Sequence, residues 1–141
     1  MAAFNKFNQF VEDLAEKVHN LQADTLKVML SNVAPVATNS VKADITEIAA
    51  GNGYSAGGTT ATVASSAQTA GTYKLTLNDV VFTASGGSIA TFRYVVLYND
   101  TPSSPLDPLI GWYDYGTTLV ITSGNTFTVD FDAAAGVLTI V

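Results

Sequence analysis

Cysteine is absent from the 141 residues, which removes disulfides, thiolate metal ligands and thiol nucleophiles together. Histidine occurs once, as His19. A Ser-His-Asp arrangement therefore has a single candidate base, and no serine stands in a G-x-S-x-G elbow. No G-x-x-x-x-G-K-S/T phosphate loop is present, and GNGYSAGG (Gly51 to Gly58) has neither a following helix nor a nearby lysine, so it reads as a tight turn. The chain is accordingly expected to be no enzyme and to need no cofactor. Charge is scarce as well: 13% of residues are charged, six basic against twelve acidic, giving a net charge of −6. That balance repels free nucleic acid, whose affinity is built by cations displacing counterions. No run approaches the roughly 18 apolar residues of a membrane helix. The start, Met1 to Lys6, runs into Asn, Gln, Glu12 and Asp13 before a signal-length apolar stretch develops. A protein made in a cytoplasm, with no membrane partner, is the expectation.

What is abundant is apolar and β-branched. Hydrophobic residues make up 48%, enough for one core in a chain of modal domain size. From Phe4 to Leu21 the large apolar residues fall at Phe4, Phe7, Val11, Leu14, Val18 and Leu21, with Phe10 widening the stripe. Steps of three and four predict a helix with one apolar seam. Two and a half heptads fall short of a coiled coil, so the seam either lies on its own domain's sheet or packs against neighbouring subunits. The boundaries expected are residues 1–24 for this helical arm and 25–141 for a β-sandwich domain.

Beyond Leu21 the period becomes two. Thr25 to Ser31 reads as the first strand, Asn32 to Ser40 as extended loop around Pro35, and Asp44 to Ala50 as one helical turn capped by Asp44 or Thr46. The later candidates are Thr59 to Ser65, Thr72 to Ala84, Ser88 to Asn99, Leu109 to Tyr115, Thr117 to Thr122, Thr126 to Asp132 and Val137 to Val141, separated by glycine or by Pro102 to Pro108. Eight short strands with no second helical pattern predict an all-β fold, an antiparallel jelly-roll-like sandwich with one N-terminal amphipathic helix. Phe127, Val129 and Phe131 alternate with polar neighbours, as do Tyr73, Leu75 and Leu77. In Phe92 to Tyr98 both faces are apolar, with Phe92, Tyr94, Val96 and Tyr98 on one and Val95 and Leu97 on the other. Such a strand is covered on two sides, one of them by the N-terminal helix or by another chain.

Two side-chain groups stand out as site candidates. Asp130 and Asp132 share a strand face, and with Asp114 and Asp107 they have the chemistry of a hard-cation site. No EF-hand spacing accompanies them, so solvated charges that prevent wrong strand pairing are the preferred reading, and no metal is expected. Trp112, Tyr113 and Tyr115, near Tyr94 and Tyr98, are candidates for glycan recognition through exposed rings. Alternation puts Trp112 with Asp114 and Tyr113 with Tyr115, so part of the group is expected in the core.

The successive segments TLKVMLSNVAPVATNSVKADITEIAAGNGYSAGGTT, LNDVVFTASGGSIATFRYVVLYND, PLIGWYDYG and FTVDFDAAAGVLTI resemble small virion structural proteins of tailed bacteriophages. The likeness runs from about Thr25 to the C-terminus and rests on turn and strand patterns. It implies a jelly-roll or related sandwich on the capsid exterior that decorates and cements the head, contacting the major capsid protein and copies of itself as a dimer or trimer. The contact residues expected on the helix seam are Phe4, Phe7, Phe10, Val11, Leu14 and Val18. The alternative is a tail or fibre module that binds surface glycans.

Overall fold

The computed structural model describes residues 2–141. It is all-β, with antiparallel strand pairs throughout and one short helix. In chain order the elements are β1 (Phe4–Lys6), α1 (Asn8–Ala15), β2 (Leu26–Ser31), a 3-10 turn (Lys42–Asp44), β3 (Thr59–Ala61), β4 (Val63–Thr69), β5 (Thr72–Leu77), β6 (Val80–Thr83), β7 (Ile89–Asn99), β8 (Leu109–Ile121), β9 (Thr126–Val129) and β10 (Leu138–Ile140). The main sheet has the order β1-β8-β7-β2-β3. A three-stranded sheet, β10-β5-β4, and the pair β6-β9 complete the set.

The N-terminal stretch corrects the expected arm. Phe4–Lys6 is a strand of the main sheet, with Phe4 opposite Tyr113 and Lys6 opposite Gly111. The helix occupies only Asn8–Ala15 and stops where Lys17 adopts φ 68. Pairing Phe4–Lys6 with β8 satisfies the hydrogen-bonding groups of that edge and lets Phe4 and Phe7 pack into the clusters on opposite faces of the sheet, where a long helix would leave aromatic surface in water. Gly111 is the accommodating residue, since a Cβ there would lie 2.2 Å from the Phe4 ring and 2.7 Å from the Asn5 carbonyl oxygen. Residues 4–6 thus add a strand to the main sheet, and Phe7 and Phe10 join its two buried clusters.

One face of the main sheet packs Leu26, Val28, Leu30, Phe92, Val95, Leu97, Ile110 and Tyr113 against Leu75, Leu77, Val80, Phe82, Val129 and Phe131 of the other strands. The opposite face carries Met29, Val96, Tyr98 and Leu109 beneath Phe7 and Ile45. Both sides of β7 are therefore covered within the chain: by the second layer on one side, and by the N-terminal segment and the β2–β3 connection on the other. Phe92 belongs with Val95 and Leu97, contrary to strict alternation, because the register slips between Ile89, Phe92 and Tyr94. A bulge shifts the phase of every residue beyond it.

One expected break is absent and two unexpected ones are present. Gly116 does not divide two strands; β8 runs through it with φ 78, bulging between Asp114 (opposite Tyr94) and Leu119 (opposite Phe92). Conversely, Thr59 to Ser65 and Thr72 to Ala84 are each divided, at Thr62 and at Asn78-Asp79. There Asn78 donates from its backbone N–H to the Thr62 carbonyl (2.9 Å) and from Nδ2 to Thr62 Oγ1 (2.9 Å), while Asp79 Oδ1 accepts the Phe131 N–H (2.9 Å). The Asp79 carboxylate satisfies a backbone N–H, and Asn78 ties backbone to backbone and side chain to side chain, at a corner where the chain changes sheets. The helical turn expected over Asp44 to Ala50 is replaced by the 3-10 turn ending at Asp44, whose carboxylate accepts the Ser40 and Val41 N–H groups and is thereby held below the usual carboxylate range.

Candidate functional site

The helix-seam residues are largely spent on the chain's own core. Phe7 is fully buried and stacks on Trp112 at 4.6 Å, and Phe10 is buried beside His19 at 5.2 Å. Phe4, Leu14 and Val18 are half-buried. Only Val11, 51% exposed, stands free. A seam presented to neighbouring subunits is therefore not what this segment offers, because its large rings fill gaps that the sheet would otherwise leave open.

The aromatic trio is split between opposite faces of β8. Trp112 lies with Phe7 on the outer face, Tyr113 is buried in the inner core against Phe4 and Phe131, and half-buried Tyr115 meets Phe127 edge-on at 5.3 Å. Burial pushes the Tyr113 and Tyr115 hydroxyls up from their ordinary range. No shared platform for a sugar ring results.

The carboxylates are dispersed too. Asp130 and Asp132 line a cleft of about 550 Å³ together with Asp79, next to Ala64 of β4. Asp132 Oδ1 accepts the Ala134 and Ala135 N–H groups, which lowers its affinity for a proton. Asp114 is elsewhere, in a two-pronged pair with Arg93 (Nε to Oδ1 2.7 Å, Nη2 to Oδ2 3.0 Å) while accepting the Gly116 N–H at 2.8 Å. The Arg93 fork, more than the Gly116 contact, holds the Asp114 carboxyl below its usual range. The pair thereby pins the β8 bulge. Among the described residues, no group of three or more His, Asp or Glu is disposed to hold a metal ion.

A buried polar cluster escaped sequence reasoning. Asn99 Nδ2 donates to Asp24 Oδ2 (2.7 Å) and to His19 Nδ1 (3.1 Å), while Gln9 Nε2 donates to Asp13 Oδ1 (3.2 Å). Burial drives the His19 proton affinity down, opposed by Asp13 and Asp24, and because the Asn99 amide donates to Nδ1 the ring's hydrogen lies on Nε2. The partners of His19 are structural: its Nδ1 holds the end of β7 to the α1–β2 connection. Asn99 and His19 lie 80 positions apart, and no local pattern pairs them.

A second feature is an edge. Between Glu47 and Lys74 the sequence contains no Asp, Glu, Lys, Arg or His, and this stretch forms β3 and β4. β4 is the outer strand of its sheet, with Ala64, Ser65, Ala67, Gln68 and Thr69 exposed. Among the described residues, no backbone group of β4 bonds outside the β4–β5 ladder. The start of the stretch is clamped: Tyr54 donates to Glu47 Oε1 (2.7 Å), Leu30 N–H donates to the Tyr54 hydroxyl (3.1 Å), and Tyr98 donates to the Gly57 carbonyl (2.6 Å). Gly58 is required there, as φ is +77 and a Cβ would sit 1.8 Å from the Val28 carbonyl oxygen. The edge is thus anchored at one end and presents its hydrogen-bonding groups outward.

Comparison with known proteins finds no matching family model, no similar curated protein and no similar solved structure.

Proposed function

We propose that the chain is a structural virion protein of a tailed bacteriophage, a jelly-roll-like sandwich that decorates and stabilises the capsid exterior by non-catalytic contacts with the major capsid protein and with copies of itself. The observation that carries this reading is the exposed, charge-free stretch of β3 and β4 on a chain of net charge −6. Surface without ionised groups is cheap to remove from water, and each apolar Å² buried contributes about 25 cal/mol. Repetition over a symmetric shell multiplies a modest contact into firm attachment. The phage-protein resemblance supplies the shell as the partner. Sugar binding through Trp112, Tyr113 and Tyr115 gains nothing from the geometry, since their rings face opposite layers.

The test is co-sedimentation of the purified protein with head shells of its own virus. Saturable binding at a stoichiometry set by shell symmetry is expected. A protein that stays in the supernatant at every concentration contradicts the proposal.

A further inference from the structure

We infer that two copies of this chain pair through β4, antiparallel and about a two-fold axis, so that the sheets β10-β5-β4 of both copies join into one of six strands. The inference deepens the structural reading above by naming the self-contact. Edge strands of soluble proteins are normally guarded by an inward-pointing charge, a lysine or a proline that stops edge-to-edge addition. The segment Val-Ala-Ser-Ser-Ala-Gln-Thr, Val63–Thr69, has none of these; its one irregularity is a bulge between Val63 and Ser65, which leaves Ser65–Thr69 regular and unguarded. Its outward hydrogen-bonding groups are unused within the chain, and a partner strand of the same length offers them roughly six bonds.

The occupant follows from charge and symmetry. Every copy carries a net charge of −6, so two copies approach most readily where neither bears an ionised group. A two-fold axis perpendicular to the sheet sets residue i opposite residue j with i + j constant. Opposed side chains must also share a face, so that sum is even. Centring the axis on Ser66, the middle of the strand, sets Ser65 against Ala67 of the second copy within the regular stretch, and the bulge between Val63 and Ser65 falls outside this central pair; every position is small or uncharged. The acidic cleft formed by Asp79, Asp130 and Asp132 abuts Ala64. Antiparallel pairing displaces the two clefts by four residues, about 13 Å at ~3.3 Å per residue, beyond the ~8 Å screening length of physiological salt. A parallel pairing would set them side by side.

Light scattering behind size exclusion gives the first readout: a mass twice the 14.7 kDa of one chain is expected. Ala67→Lys, at an exposed position, should yield a folded monomer whose melting temperature no longer rises with protein concentration as that of the wild-type dimer does. Because the chain has no cysteine, oxidative cross-linking reads the register directly. Mixed Ser65→Cys and Ala67→Cys chains should form a disulfide dimer, while neither variant alone does so. A wild-type monomer at about 100 μM, a dimer indifferent to Ala67→Lys, or cross-linking only within single variants overturns the pairing or its register. A cross-linkable dimer that ignores head shells upholds the pairing and overturns the virion reading; a monomer that binds shells does the reverse.

Discussion

Replacing Phe7 by alanine separates the two roles open to the N-terminal segment. Phe7 is 0% exposed and fills the outer cluster with Met29, Ile45, Val96, Tyr98 and Leu109, and its ring is 4.6 Å from that of Trp112. Truncating a fully buried phenylalanine removes its transfer free energy and leaves a cavity that the rigid sheet beneath cannot close, a loss of about 3–5 kcal/mol. The lost Trp112 contact puts the value in the upper half of that range. For a chain of this length each kcal/mol moves Tm by about 3–5 °C, so a fall of roughly 12–25 °C is expected. Urea unfolding followed by Trp fluorescence gives the same quantity from the midpoint at constant slope, and Trp112, the single tryptophan, reports the site itself. Val11→Ala, at a 51% exposed position on the same expected seam, should stay within about 0.5 kcal/mol of wild type. A Phe7→Ala loss below about 1 kcal/mol, accompanied by a defect in assembly, refutes the core placement and restores the arm.

Two further outcomes follow from individual side chains. Gly111→Ala drives a methyl group into the Phe4 ring and the Asn5 carbonyl, so β1 should detach from β8, with faster amide exchange at Phe4–Lys6 and a loss of about 1–3 kcal/mol; unchanged exchange there contradicts the close approach. Burial lowers the His19 proton affinity below its unfolded value. The unfolded chain therefore binds the extra proton first, and stability should fall as pH drops through the unfolded histidine range near ~6.5. His19→Gln should flatten the urea midpoint between about pH 7 and pH 5, whereas an identical slope in both proteins denies His19 this part.

The legibility of the chain divides along the range of the interactions. Local alternation was readable: Phe127, Val129 and Phe131 point inward and Thr126, Thr128, Asp130 and Asp132 outward, as two-residue periodicity requires. Double coverage of β7 was legible from its unbroken apolar run. The element that covers it was half legible, since Phe7 does lie on that face but from an extended segment ahead of the helix. The spacing Phe4, Phe7, Phe10 satisfies a helical period, and the rival, pairing with β8 over a hundred residues away, leaves no local trace. The β7 and β8 bulges were hidden likewise: a phase shift shows only in the register against a partner strand. Of the candidate sites, the charge gap between Glu47 and Lys74 could have been counted directly, but its meaning depends on β4 being an edge. The Asp24, His19 and Asn99 cluster assembles residues from distant segments and had no sequence signature.

The most direct measurement is the location of this protein's density in the intact virus particle by electron cryo-microscopy. Copies on the outer surface of the head, joined two by two through a continuous six-stranded sheet, are the expected result. Particles that contain no copy, or copies whose β4 edges face solvent alone, contradict the account.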